Sequence, residues 1–304
     1  DRILMPIGRT VNERNPFVDA RLADGSRVHA IIPPLSLTGP MLTIRKFSST
    51  PYSLDDLVFR FKAFTPSVAE FLKLCVKMRR NIIVSGGASS GKTTLLNVLS
   101  MNTQPDERVI CIEDSAELRL AQENLGRLEA RQQAGEAKTQ VTIRDLVRNA
   151  LRMRPDRIIV GECRGEEALD MLQAMNTGHE GSLTTLHANS SRDALARLET
   201  MVLMAGVDLP LRAVREQIAS AVNIVIQTAR LSDGTRRVIE ISEVVGMQDV
   251  SIQLETIFKF DKKWIGEDGR VFGEMLPTGY VPLFIRECPG RLIERVGGLF
   301  KIEK

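Results

Sequence analysis

The segment GGASSGKT, residues 86–93, lies between the apolar run NIIV and an apolar-periodic stretch that opens at Lys92. Gly, four residues, then Gly-Lys-Ser/Thr is the spacing of a phosphate-binding loop. Small residues let consecutive backbone N–H groups turn inward, and the helix beyond adds its partial positive charge at the same point. In such a loop Lys92 reaches the β- and γ-phosphates and the Thr93 hydroxyl ligates magnesium. The competing reading is a tight turn with a helix cap; the strand before and the helix after favour the cradle. The nucleotide-binding set is therefore Gly86, Gly87, Ala88, Ser89, Ser90, Gly91, Lys92, Thr93 and Thr94. The implied cofactors are ATP and Mg2+.

A nucleotide site also needs carboxylates to hold the metal and align water. Open parallel sheets place ligands at the C-terminal ends of their strands. RVICIED offers Glu113 and Asp114 there, with Glu117 one turn on, and DRIIVGE ends in Glu162. Gly161 stands where an Asp commonly precedes the Glu, which points away from the common helicases and transporters. The run NTGHEGSLTTLHANS places His187 after an apolar strand, at the same sheet edge as Glu113 and Glu162. There an imidazole can donate to the γ-phosphate or relay its loss. Three protein ligands at zinc spacing are absent.

Around the loop, strands and helices alternate from about residue 79, which predicts a mostly parallel sheet flanked by helices. Residues 1–78 read as a smaller, β-rich α+β domain, with Asp24-Gly25 as a hairpin turn. Two helices end that domain: Ser53 and Asp56 resemble a capping box before LDDLVFRF, and Thr65-Pro66 opens SVAEFLKLCVKMRR. Residues 79–304 form the larger domain. It returns as a hairpin around Asp233-Gly234 and carries a small appended unit from about residue 246. Asp1 falls inside an apolar-looking segment, which suggests a fragment or a longer beginning.

Composition narrows the function. The chain has 304 residues, 43% of them apolar, enough for a substantial core. A net charge of +3 and 5% aromatics disfavour a nucleic-acid-binding surface. The four scattered cysteines form no C-x-x-C pair, so buried thiols in a reducing compartment fit best. No apolar run approaches the ~18 residues of a membrane span.

Four of these segments together resemble the secretion and pilus-assembly ATPases of the type II/type IV superfamily. GGASSGKTT is similar to their Walker A loop and RVICIEDSAEL to their Asp box. DRIIVGECRG is similar to their atypical Walker B, and TGHEGSLTTLHANS to their His box. HAIIPPLSLTGPMLTIRKFS and RLETMVLMAGVDLP most resemble the Tad/Flp pilus ATPases. The resemblance implies a RecA-like ATPase domain and a homohexamer that binds ATP between its two domains. It also implies a cytoplasmic motor, peripheral to the inner membrane, that drives pilin through a platform protein. On it, Arg27 and Arg45 of the N-terminal domain complete the catalytic set with Glu113, Glu162 and His187. The sequence does not decide which glutamate orients water; the preferred assignment puts Glu162 with Thr93 on the metal side and Glu113 beside the water. A DNA-transfer ATPase of conjugation type shares every motif and is the alternative, as is a hexameric scaffold that binds nucleotide without turnover.

Overall fold

The computed structural model describes residues 2–46, 51–131, 139–286 and 288–302. Phe47 and Ser48 of the family-like run lie outside the described residues. The chain divides into two compact units, 1–51 and 52–304.

The first unit is a three-stranded antiparallel meander of β1 (Phe17–Arg21), β2 (Arg27–Ile31) and β3 (Met41–Arg45). Its first turn is the expected one: Gly25 adopts φ 88°, and Asp24 accepts from the Ser26 amide at 2.8 Å. Along β2 the period-2 pattern buries Val28 and Ala30 against Leu4. Arg27 pairs directly with Arg45 on one side and with Arg21 on the other. The two predicted arginines are therefore cross-strand neighbours.

The second unit is built on a nine-stranded sheet. Six strands run parallel, in the order β9 (Ile224–Arg230), β4 (Ile82–Gly86), β8 (Leu183–His187), β7 (Arg157–Cys163), β5 (Val109–Glu113) and β6 (Leu125–Glu129). Three antiparallel strands extend it beyond β9: β10 (Arg236–Gln248), β11 (Ser251–Ile265) and β12 (Val271–Pro277). Helices α1 (Pro66–Lys77) and α2 (Lys92–Ser100) belong to the core on one face, while α3 (Ile143–Ala150), α4 (Glu167–Asn176), α5 (Ser191–Met204) and α6 (Leu211–Ala221) cover the other. Short helices α7 (Leu283–Arg286) and α8 (Gly290–Val296) close the chain. Alternation along β4 serves both cores, with Ile82 and Val84 in one and Ile83 in the other.

Two expected boundaries fall elsewhere, for one reason. The division lies at Pro51/Tyr52 and not near residue 79, because α1 buries Val68, Phe71, Leu72, Cys75 and Val76 in the same core as β4. The last sixty residues are no appended unit. Phe71 of α1 packs 5.4 Å from Phe258 of β11 and 5.7 Å from Phe300, ring centroid to centroid. The Ser53–Asp56 box forms, with the Ser53 amide donating to Asp56 at 2.8 Å, but the turn it starts widens into a π-helical segment, Asp56–Arg60. Thr65 leads into α1 without a side-chain cap bond. Cys75, Cys111 and Cys163 are buried free thiols, and Cys288 is half-buried. Among the described residues no helix is long and apolar enough to cross a membrane.

Candidate active site: a phosphate-binding loop at the strand ends

Strand β4 is buried throughout, and its last residue, Gly86, pairs with His187 of β8 and Thr228 of β9. A Cβ at Gly86 would sit 2.2 Å from Thr228 Oγ1 and 2.6 Å from the Thr228 carbonyl oxygen, so no other residue fits there without displacing backbone. Ser89 (φ 56°) and Gly91 (φ 100°) are both left-handed, which wraps the loop before α2 starts at Lys92. Ser90 Oγ ties the loop down, 2.9 Å from the Gly87 carbonyl oxygen and 2.8 Å from Thr228 Oγ1. Lys92 Nζ donates to the Gly87 carbonyl at 2.8 Å. Burial lowers the Lys92 pKa; Glu162 opposes that shift and Arg164 adds to it, so both charges act on the ammonium.

The acidic strand ends differ in environment. Glu113 is 4% exposed, and its Oε1 accepts from the Glu117 and Leu118 amides at 2.7 and 2.8 Å. Its Oε2 faces Arg127 Nη2 at 3.8 Å and accepts from Cys111 Sγ at 3.6 Å. Burial raises the Glu113 pKa against those amides and Arg127. Glu113 thus closes the loop that follows its own strand. Glu162 is the more accessible carboxylate, with a side chain 27% exposed at the end of β7. Its Oε2 accepts from Arg164 Nε at 2.8 Å and Nη2 at 2.5 Å.

Gly161 now has a physical reason. A Cβ there would lie 3.1 Å from Glu113 Cγ, so the Glu113 side chain occupies the space that an Asp in the common motif would use. His187 is exposed beside Gly86 at the end of β8, as its sequence position predicted. His179 lies 3.3 Å through Nδ1 from the Ala174 carbonyl oxygen, a structural contact. Arg27 and Arg45 lie in the first unit, and each has interaction partners there or elsewhere.

Beside the loop is a cavity of about 490 Å3 whose lining includes Tyr52, Arg60, Phe61, Gly91, Thr94 and Arg236. Tyr52 and Phe61 meet edge to face at 4.9 Å, and the Arg60 guanidinium carbon lies 5.1 Å from the Phe61 ring centroid. Sequence reasoning missed this aromatic wall, along with Thr228, Arg164 and Arg236. Thr228 and Arg236 lie far from the loop in sequence, and only the sheet order brings β9 and β10 to it. The spacing of Thr228 from Asn223, matching Gly86 from Asn81, was the available signal, since β9 runs parallel to β4.

Among the described residues no three His, Cys, Asp or Glu side chains cluster closely enough to hold a metal by themselves. A phosphate-loop magnesium takes one hydroxyl, one carboxylate and phosphate oxygens instead. Thr93 and Glu162 are the residues that suit it. The left-handed loop at Ser89 and Gly91 and the half-buried lysine fit a polyphosphate.

A phosphate loop at the end of β4 in a mostly parallel sheet, with carboxylates at the ends of β5 and β7 on the same sheet, defines a RecA-like P-loop ATPase. The chain belongs to the type II/IV secretion system protein family, which matches residues 5–256. It is 38% identical over 267 residues to a Mycobacterium tuberculosis protein named provisionally for conjugal transfer, covering 86% of this chain and 75% of that one. It is 36% identical over 248 residues to the conjugal transfer protein TrbB of Rhizobium radiobacter, covering 80% and 72%. The VirB11 ATPase of the Brucella suis type IV secretion system, solved with sulphate, aligns with a TM-score of 0.53 at 30% identity, covering 79% and 80%. The pilus retraction motor PilT with bound ADP shares the fold, with a TM-score of 0.52 at 22% identity, covering 80% and 63%.

Proposed function

We propose that the chain is the ATP-hydrolysing motor of a conjugation-type secretion machine, working as a homohexamer at the inner membrane. The observation that carries the finer reading is its likeness to TrbB and VirB11 along most of the chain. This displaces the Tad/Flp pilus motor to second place. The runs HAIIPPLSLTGPMLTIRKFS and RLETMVLMAGVDLP still favour that second reading, so it is kept.

In the proposed chemistry Lys92 and the loop amides hold the β- and γ-phosphates. Thr93 and Glu162 hold magnesium, which neutralises charge on the transferring group when bound. Glu162, the accessible carboxylate, orders the attacking water. Glu113 fixes the loop after β5 instead of touching water, which revises the sequence-based assignment. His187, next to Gly86 across the β4–β8 pair, reports the γ-phosphate to the segment after β8. The cavity beside Gly91 and Thr94 takes the nucleoside.

Purified chain should turn over ATP in magnesium, and Lys92→Ala should not; a wild type that binds ATP without turnover would support a scaffold instead. Recovery from native membrane of type IV secretion channel components supports the first reading, and of pilin with its platform protein the second. The modest charge argues that the chain acts on protein components, so strong, salt-sensitive stimulation of hydrolysis by DNA would overturn that part of the proposal.

A further inference from the structure

We propose that Arg164 is a positioning residue for hydrolysis: it grips one oxygen of Glu162 and leaves the other for the reacting partners. The inference rests on the reading of Glu162 as the group that orders water.

The geometry is asymmetric. Both Nε and Nη2 of Arg164 donate to Oε2 of Glu162, at 2.8 and 2.5 Å, and among the described residues no hydrogen bond reaches Oε1. The remaining nitrogen, Nη1, lies 3.8 Å from Asp114 Oδ2, so one guanidinium joins the acidic ends of β5 and β7. Arg164 is itself anchored through its backbone: its amide and that of Gly165 donate to Glu167 Oε1 at 2.5 and 3.0 Å, at the start of α4. The backbone is fixed while the side chain, 62% exposed, reaches back over the strand end.

An exposed ion pair of this kind contributes little to stability. Its effect is orientational. A glutamate at a strand end turns freely about its last torsion, and a carboxylate that must order a water acts well in only a narrow part of that range. Two donors on a single oxygen remove the freedom. They leave its second oxygen unencumbered. A planar fork does this fully, whereas an ammonium, a point charge on a flexible stem, does it only in part.

The experiment compares the full chain with Arg164→Ala, Arg164→Lys, Glu162→Gln and the double variant Arg164→Ala/Glu162→Gln. Turnover at saturating ATP and magnesium is measured alongside affinity for a non-hydrolysable ATP analogue. Arg164→Ala should lower kcat about tenfold or more, within the coupling seen for side chains in one hydrogen-bond network. Affinity for the analogue should stay within about twofold, because Arg164 acts on the carboxylate and not on the ligand. Arg164→Lys should recover part of the loss, and the double variant should be no slower than Glu162→Gln alone. Equal losses of kcat and affinity, or a further loss in the double variant, would mean that Arg164 touches phosphate itself and would overturn the proposal. Unchanged or faster turnover in Arg164→Ala would overturn it too, the latter marking the pair as a latch on Glu162. A wild type that binds ATP but does not turn it over removes the reading of Glu162 before any variant is compared.

Discussion

Lys92 is turned onto the carbonyl of its own loop, at Gly87. Binding phosphate exchanges that neutral acceptor for anionic oxygens, a stronger, charge-assisted contact. Lys92→Ala should therefore abolish ATP binding while the thermal unfolding midpoint stays close to wild type, which calorimetry with and without nucleotide can check. The two glutamates should separate in their variants. Glu162→Gln removes the anionic acceptor near the reaction and should slow turnover by at least ~100-fold with ATP binding retained. Glu113→Gln should lose less, because an amide oxygen can still accept from the Glu117 and Leu118 amides. The Glu113 pKa is raised on folding, so the folded chain holds that proton more tightly than the unfolded one. Wild type then loses stability as pH rises from the ordinary value near 4.5 through the folded value, a loss Gln cannot suffer. The midpoint of Glu113→Gln relative to wild type should rise across that window and stay raised at neutral pH. A relative midpoint that falls instead would show that the carboxylate charge stabilises the fold.

At the scale of elements, Gly86 is where strand, loop and neighbour converge. Gly86→Ala puts a methyl group 2.2 Å from Thr228 Oγ1 and 2.6 Å from backbone, and the overpacking should cost about 1–3 kcal/mol or more. Gly87 has open space, with nothing within 4 Å of an added Cβ, so Gly87→Ala should shift stability by no more than about 0.5 kcal/mol. Chemical denaturation of the two variants gives the contrast, and equal losses would mean that the packing around Thr228 is not tight. The loop and the strands β4, β5, β7 and β8 were legible in sequence because apolar runs ended in small or acidic residues. The continuation of the sheet through β11 was not. Ile241 pairs with Phe258 and Ser242 with Thr256, which leaves Ile257 as an extra residue, and both Ile257 and Phe258 are buried. Such a bulge breaks the period of two on which strand reading depends. Arg164 was hidden for another reason. Its partner Glu162 is two residues away, and a short-range pair of exposed charges carries no pattern that a sequence can distinguish from solvated surface.

At the scale of the whole molecule, the open matter is how chemistry is tied to motion. Phosphoryl transfer leaves little covalent chemistry to the protein, so catalysis rests on positioning and on charge placed at the γ-phosphate. The second unit carries Lys92 for this. Arg27 and Arg45 belong to the other unit, and their direct pairing across β2 and β3 means that one movement of that sheet carries both. If that unit delivers its charge only in one arrangement, hydrolysis depends on the arrangement, and a motor follows. Arg27→Ala and Arg45→Ala should each slow turnover more than they weaken ATP binding, and Arg→Lys should restore it only in part. Rings assembled from a mixture then tell whose site is served. If an arginine serves the neighbouring subunit, mixing an Arg→Ala variant with Lys92→Ala should recover activity, because some junctions unite an intact arginine with an intact loop. If it serves its own subunit, every subunit has one defect and the mixture should be nearly inactive. Unchanged turnover in both single variants would take the first unit out of the chemistry and leave it as a docking surface for the rest of the machine.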